Sequence, residues 1–209
     1  NQNEPIVLFA PSWGGKYNKN SGIWNIECLN NIKNLIAVPH TQDYRYAKKL
    51  NATIPSKEDG INPYLQICDI IISDVSSVLA EACILNKPVI QLKLTNYPGC
   101  FPEKDRRKKN IYLKNELIKI EEKKADLNKR PFKIAYLDED WIMGEVTVPE
   151  KIQETIEKAL SEVNKFKKQR AYWAEQSCYK CDGKSSLRIA KMIEHYHLTG
   201  ERMQIGSLN

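Results

Sequence analysis

Long apolar runs are missing from this 209-residue sequence: none approaches the roughly 18 residues that a membrane-spanning helix requires. No basic, apolar, small-residue segment of the secretory kind opens the chain, which does not begin with Met and is expected to be part of a longer protein. Glycine motifs for phosphate are also lacking. Neither G-x-G-x-x-G nor G-x-x-x-x-G-K-[ST] occurs, which removes the dinucleotide fingerprint and the P-loop. Nucleophile-elbow and zinc-protease patterns are missing too, so hydrolases of those types lose weight. Aromatic residues make up 9% of the chain, and the basic clusters, with Phe166 as their one aromatic, lack the repeated interleaving that a nucleic-acid stacking platform would require. No internal repeat or low-complexity segment is present.

What remains is an ordinary globular composition, 42% hydrophobic and 28% charged, long enough for one good-sized domain covering residues 1–209. The net charge of +6 is concentrated at Lys104–Lys109 (KDRRKK) and Lys165–Arg170 (KFKKQR). Such runs favour an anionic partner, a phosphate or an acidic lipid, although lysine stems on a polar helix face need no partner at all. Six cysteines are scattered rather than paired, and Cys68 and Cys83 fall in apolar segments where a free thiol packs as a small hydrophobe; a reducing cytoplasm fits. Cys178 and Cys181 form the sole C-x-x-C. It lacks the second ligand pair of a structural zinc site, and the nearby His195 and His197 diverge on a helix, so no metal is expected.

Short apolar runs alternate with helix-like segments. Ile6–Ala10 and Asn34–Val38, each closed by a proline, suit buried strands, as do Ile70–Ser73 and Val89–Leu92. Helical spacing marks Trp24–Ile32, Pro63–Cys68 and Ser77–Asn86, the last with Val78, Leu79, Ala82, Cys83 and Leu85 on one side. This alternation predicts an α/β fold, a Rossmann-like parallel sheet with helices on both faces. Residues 96–148 read as an irregular insertion. Beyond them, Pro149–Gln176 is one long helix or two, opened by a first-turn proline. Ser185–His197 is a last amphipathic helix with Leu187, Ile189, Ala190 and Ile193 on its inner side.

In an open parallel sheet, ligands collect beyond the carboxyl ends of the strands, where loops converge and helix N-termini point at the cleft. The first strand delivers Ser12 and Trp13, the second His40 and the third Asp74, Ser76 and Ser77. A helix start carries a partial positive charge, and no Glu or Gln closes a capping box behind Ser76 or Ser77, which leaves room for a phosphate. Glu81, a turn further on, could accept hydrogen bonds from a ribose or glycerol hydroxyl. The plain alternative is an N-cap serine and a surface glutamate. His40 suits a proton donor to a departing phosphate, or is simply a loop residue. Trp13 either stacks on a base or packs.

At these positions the sequence resembles the CDP-glycerol glycerophosphotransferase family, the teichoic-acid polymerase and primase type enzymes of GT-B fold. The resemblance rests on DIIISDVSSVLAEACILNKPVIQL (Asp69–Leu92), FAPSW (Phe9–Trp13), AVPHTQD (Ala37–Asp43), MGEVTVPEKIQETIEKAL (Met143–Leu160) and CDGKSSLRIAKMI (Cys181–Ile193). It departs from the family pattern at Gly14, where the family has Arg; at Val75, where it has Tyr; and at Ala80 or Glu81, where it has Asp. The resemblance implies the C-terminal, donor-binding half of such an enzyme, with the acceptor domain absent. His40, Ser76 and Ser77 would contact the CDP diphosphate, and His40 would assist its departure. Ser12, Trp13, Asp74 and Glu81 would complete the donor site, without metal or other cofactor. The group moved would be glycerol phosphate, or a related polyol phosphate or sugar, passed to a cell-surface polymer or a lipid-linked acceptor. Glu81-Ala82 and Lys87-Pro88-Val89 also look like the nucleotide-sugar half of UDP-sugar GT-B glycosyltransferases and of UDP-N-acetylglucosamine 2-epimerases. A non-catalytic nucleotide-sugar-binding module is a further alternative. The implied location is cytoplasmic, with the basic clusters suited to peripheral contact with the inner face of the membrane.

Overall fold

The central strand explains the rest of the architecture. Ile70, Ile71 and Ile72 are all fully buried, as a strand must be when both faces of its sheet are covered. Each such side chain contributes about 1.5–3 kcal/mol relative to an exposed one. A computed structural model of the chain describes residues 4–12, 22–49, 51–74, 76–92, 142–178 and 180–203, with the backbone alone for 24–27 and 48–49. These residues form a parallel sheet of β1 (Val7–Phe9), β2 (Leu35–Ala37), β3 (Ile70–Ser73), β4 (Val89–Leu92) and β5 (Glu145–Thr147), in the order β2-β1-β3-β4-β5. The α/β prediction holds.

Two apolar layers flank the sheet. On one face, Val7, Phe9, Ile70, Ile72 and Ile90 pack under a 3-10 helix, Gly22–Leu29, and under Ile152, Ile156 and Ala159 of a later helix, Ile152–Ser161. On the other, Leu8, Ile71 and Val89 pack under α1 (Asn62–Ile67), α2 (Val78–Ile84) and Trp173. Alternation along β1 therefore sends Leu8 one way and Val7 and Phe9 the other, the period-2 signature of a strand. Cys68 and Cys83 belong to the second layer as predicted, and burial pushes their thiols up to about 11 and about 12.

The chain beyond residue 141 differs from the sequence reading in three ways. The stretch assigned to the irregular insertion ends in a strand, β5, paired to β4 through Ile90–Glu145 and Leu92–Thr147. It was illegible because three residues of mixed burial carry no periodicity. Next, the segment read as one helix or two is two, α3 (Ile152–Ser161) and α4 (Lys167–Ser177). Their basic junction, KFKKQR, is not a free cationic patch: Lys165 pairs with Glu145 at 2.6 Å, and Arg170 is buried. Finally α5 (Ser185–Thr199) has no inner side among the described residues, and Leu187, Ile189 and Ile193 are more than half exposed. The other basic cluster, Lys104–Lys109, lies outside the described residues.

Two smaller corrections concern helices. The segment read as Trp24–Ile32 is the 3-10 helix Gly22–Leu29, and Leu85 is the half-exposed C-cap of α2 rather than part of its buried stripe. The end of α2 is a Schellman turn: Lys87 N–H donates to Ala82 O and Asn86 N–H to Cys83 O, both at 3.0 Å, with Asn86 at φ +52°. Lys87 then reaches across to the C-terminus of α1, its Nζ 2.9 Å from Gln66 O and 2.8 Å from Cys68 O. It thereby supplies donors to carbonyls that the helix end leaves without an intrahelical partner.

Candidate functional site

Prolines end the first two strands by removing the next ladder donor. Ala10 N–H donates to Ile72 O and Val38 N–H to Phe9 O; the chain then turns away at Pro11 and Pro39. Strand order does the rest. Because β1 lies between β2 and β3, the loops after all three strands open at one place, the switch point where an open α/β sheet binds ligands.

A cleft of about 210 Å³ occupies that place, with His40, Ser76, Ser77 and Glu81 in its lining. Four of the seven residues picked from sequence are thus brought together. Ala10, Val38, Pro39, Ile61 and Val78 supply its apolar wall. Ser12 and Asp74 do not line it. They join the β1 and β3 loops beside it: Ser12 N–H donates to Asp74 Oδ1 at 2.8 Å and Ser12 Oγ–H to Oδ2 at 2.7 Å, with Asp74 only 1% exposed. At the opposite end of β3, Asp69 Oδ2 accepts from Ile6 N–H at 2.8 Å, so two aspartates clip both ends of β1 to β3. Trp13 lies outside the described residues, as do Gly14 and Val75.

The start of α2 differs from the open anion site that a helix N-terminus suggests. Leu79 N–H and Ala80 N–H turn tightly onto the carbonyls of Ser76 and Ser77, at 3.2 and 2.9 Å, and Val78 N–H lies 3.4 Å from Ser76 Oγ. Ser77 is the N-cap, but its hydroxyl makes no capping bond and stays available to the cleft. The helix has 7 residues, too few for a strong dipole. Polarity in the cleft therefore comes mainly from side chains.

His40 is exposed, with Gln42 N–H directed at its Nδ1 at 3.4 Å. With Nδ1 accepting, the neutral ring carries its proton on Nε2, as a donor. The loop is braced from below by Asp43, which is fully buried and whose N–H donates to His40 O at 2.7 Å.

Two polar contributors escaped the sequence reading, Tyr44 and Lys57. Burial, with Asp59 and Glu58 nearby, raises the Tyr44 hydroxyl, which is a neutral donor at neutral pH. Lys57 comes from the turn Ser56–Gly60, whose Ser-Lys-Glu-Asp-Gly composition was the available signal. Among the described residues no group of three His, Cys, Asp or Glu side chains could hold a metal ion, Cys178, Cys181, His195 and His197 included. No helix there is long and apolar enough to cross a membrane.

No protein-family model matches the chain, and no curated protein matches it. Solved structures do. The wall teichoic acid polymerase TagF is similar over 93% of this chain and 44% of its own, with a TM-score of 0.56 and 16% identity. A His-to-Asn variant of TagF soaked with CDPG is similar over 93% and 42%, with a TM-score of 0.56 and 15% identity. At such identity the likeness is one of fold, and this chain spans less than half the length of the polymerase.

Proposed function

We propose that this chain is the donor-binding part of a transferase that moves glycerol phosphate, or a related polyol phosphate or sugar, from a CDP-linked donor to a cell-surface polymer. The observation that carries the reading is the convergence of His40, Ser76, Ser77 and Glu81 on one cleft at the switch point of a TagF-like fold. The name of the soaked TagF structure, with CDPG, supports the choice of donor.

In this reading the diphosphate lies against the hydroxyls of Ser76 and Ser77. An acceptor hydroxyl attacks the phosphorus that bears glycerol, a new P–O bond forms, and the anhydride P–O bond breaks to release CMP. Charge builds on the departing oxygen, and in this reading the Nε2 proton of His40 neutralises it. Glu81 accepts from a ribose or glycerol hydroxyl. The cleft is smaller than the roughly 300–1,000 Å³ of most small-ligand sites, so it holds part of a donor. The base that takes the acceptor's proton, and the acceptor itself, are assigned to another part of the intact enzyme.

Calorimetric titration with CDP, UDP and their glycerol and sugar conjugates tests this directly. CDP preference is expected; UDP preference would point to a UDP-sugar enzyme, and no nucleotide binding would overturn the donor site. Ser77→Ala should weaken CDP binding by about 0.5–1.5 kcal/mol, the net worth of one hydrogen bond. In the intact enzyme, His40→Ala should lower turnover more than donor affinity; equal losses would remove its leaving-group role.

A further inference from the structure

The cleft has one feature that neither strand-end loop nor helix start explains, a lysine brought to its lining by a turn 20 residues ahead of Ser77 in the chain. We infer that Lys57 is the counter-charge for the second phosphoryl group of the donor, so that this site selects diphosphates over monophosphates; the inference rests on the donor-site reading above.

Among the described lining residues Lys57 is the sole Lys or Arg. The turn that bears it is built to hold it there. Ser56 caps the 3-10 turn Lys57–Asp59, its oxygen accepting from Glu58 N–H at 3.4 Å while its hydroxyl donates to the Glu58 carboxylate. Tyr64 Oη–H donates to Asp59 Oδ2 at 2.9 Å, fixing the turn to α1. Gly60, at φ +66°, lets the chain reverse into Ile61, which joins the apolar wall.

Both carboxylates beside Lys57 are thereby engaged within the turn. Lys57 acts on the solvent-exposed Glu58 carboxylate through its charge, which lowers the Glu58 carboxyl behind the larger effect of the Ser56 hydroxyl. An exposed lysine at the cleft wall, with its neighbouring carboxylates already hydrogen-bonded, is available to a ligand's anion.

Among the described lining residues no other side chain carries a fixed positive charge. Ser76, Ser77, Tyr44 and the His40 donor offer hydrogen bonds, Glu81 repels anions, and α2 is too short to supply much field. Hydrogen bonds alone can orient one phosphoryl group. A second adds negative charge, which a cation offsets directly, and a monophosphate does not reach both.

The test titrates the 209-residue chain, wild type, Lys57→Ala and Lys57→Arg, with CDP, CMP and inorganic pyrophosphate at low and high salt. Lys57 is exposed, so matched thermal melts should confirm that all three proteins fold. Lys57→Ala should lower CDP affinity about tenfold, the scale of a lost charge-assisted hydrogen bond, lower CMP affinity no more than about twofold, and flatten the salt dependence; Lys57→Arg should restore most of it. Equal losses for CDP and CMP, or none, would overturn the inference while leaving the donor site standing. Should wild type bind pyrophosphate in a Lys57-dependent way but not CDP, the nucleotide reading falls and the role of Lys57 survives. Binding of none of the three ligands would overturn both.

Discussion

Asp74 accepts two hydrogen bonds from Ser12, one from the backbone at 2.8 Å and one from the hydroxyl at 2.7 Å, and so fixes the end of β1 to the end of β3 where the cleft begins. Both residues were picked from sequence as donor contacts. Their position makes them the fastening of the loops that frame the cleft.

Asp74→Ala should therefore destabilise the fold and loosen the site together. Losing the carboxylate strands the partly buried Ser12 amide and hydroxyl, a cost of about 1–3 kcal/mol. Urea unfolding of wild type and variant measures it. A change below about 0.5 kcal/mol would mean that the loop holds without the clip.

Gly144→Ala should be severe. A Cβ at Gly144 would stand 2.0 Å from the backbone oxygen of Val89, and strand backbone cannot step aside as a flexible side chain would. Overpacking of this kind costs about 1–3 kcal/mol or more, by prising the β5 segment from β4. The expected readout is a clear fall in Tm or insoluble expression, and normal expression with an unchanged Tm would contradict the close approach.

Arg170, buried, and Asn86, exposed, form a couple in which two effects oppose. Arg170 Nε donates to Asn86 Oδ1 at 3.0 Å, and its Nη2 to Val163 O at 2.8 Å. Asn86→Gly relieves the left-handed backbone, worth about 1 kcal/mol, but strips a charged donor of its acceptor, worth about 1.5–3 kcal/mol. The second term is larger, so net destabilisation of about 1 kcal/mol is expected from equilibrium unfolding. A stabilised Asn86→Gly would show that the Arg170 bond contributes little.

Asp182 gives a pH dependence. Hydrogen bonds from Arg188, one of them at 2.9 Å, and then from Lys184 N–H hold its carboxyl well below the usual carboxylate range. A depressed folded value means that the contribution is present above the ordinary carboxylate pKa and is lost as pH falls through the folded one. The Tm difference between wild type and Asp182→Asn should be widest near about pH 6 and narrow progressively once pH falls below the ordinary carboxylate value of about 4. A difference that did not narrow on acidification would separate it from this ion pair.

Much of the framework was legible in local pattern. Val7–Phe9, Leu35–Ala37, Ile70–Ser73 and Val89–Leu92 lie inside the runs read as strands, because a strand covered on both faces must be continuously apolar. The buried stripe Val78, Leu79, Ala82 and Cys83 followed from helical spacing. β5 was not legible: Glu145 and Val146 are only partly buried, and a three-residue strand has no period to detect. Ile189 and Ile193 show the converse, since apolar spacing on α5 announced a face to be covered without saying where its cover lies.

The sequence alone determined the α/β alternation and put His40, Ser76 and Ser77 at strand ends, because apolar period and proline stops report each residue's immediate surroundings. Only the tertiary structure decided that β1 lies between β2 and β3, which of those residues share the cleft, that Lys57 joins them, and that Arg170 leaves its basic run for the interior. These depend on which strands pair and which helices dock, contacts between residues far apart in the chain. A turn lysine bound for a cleft and one bound for solvent read alike in sequence until those contacts form.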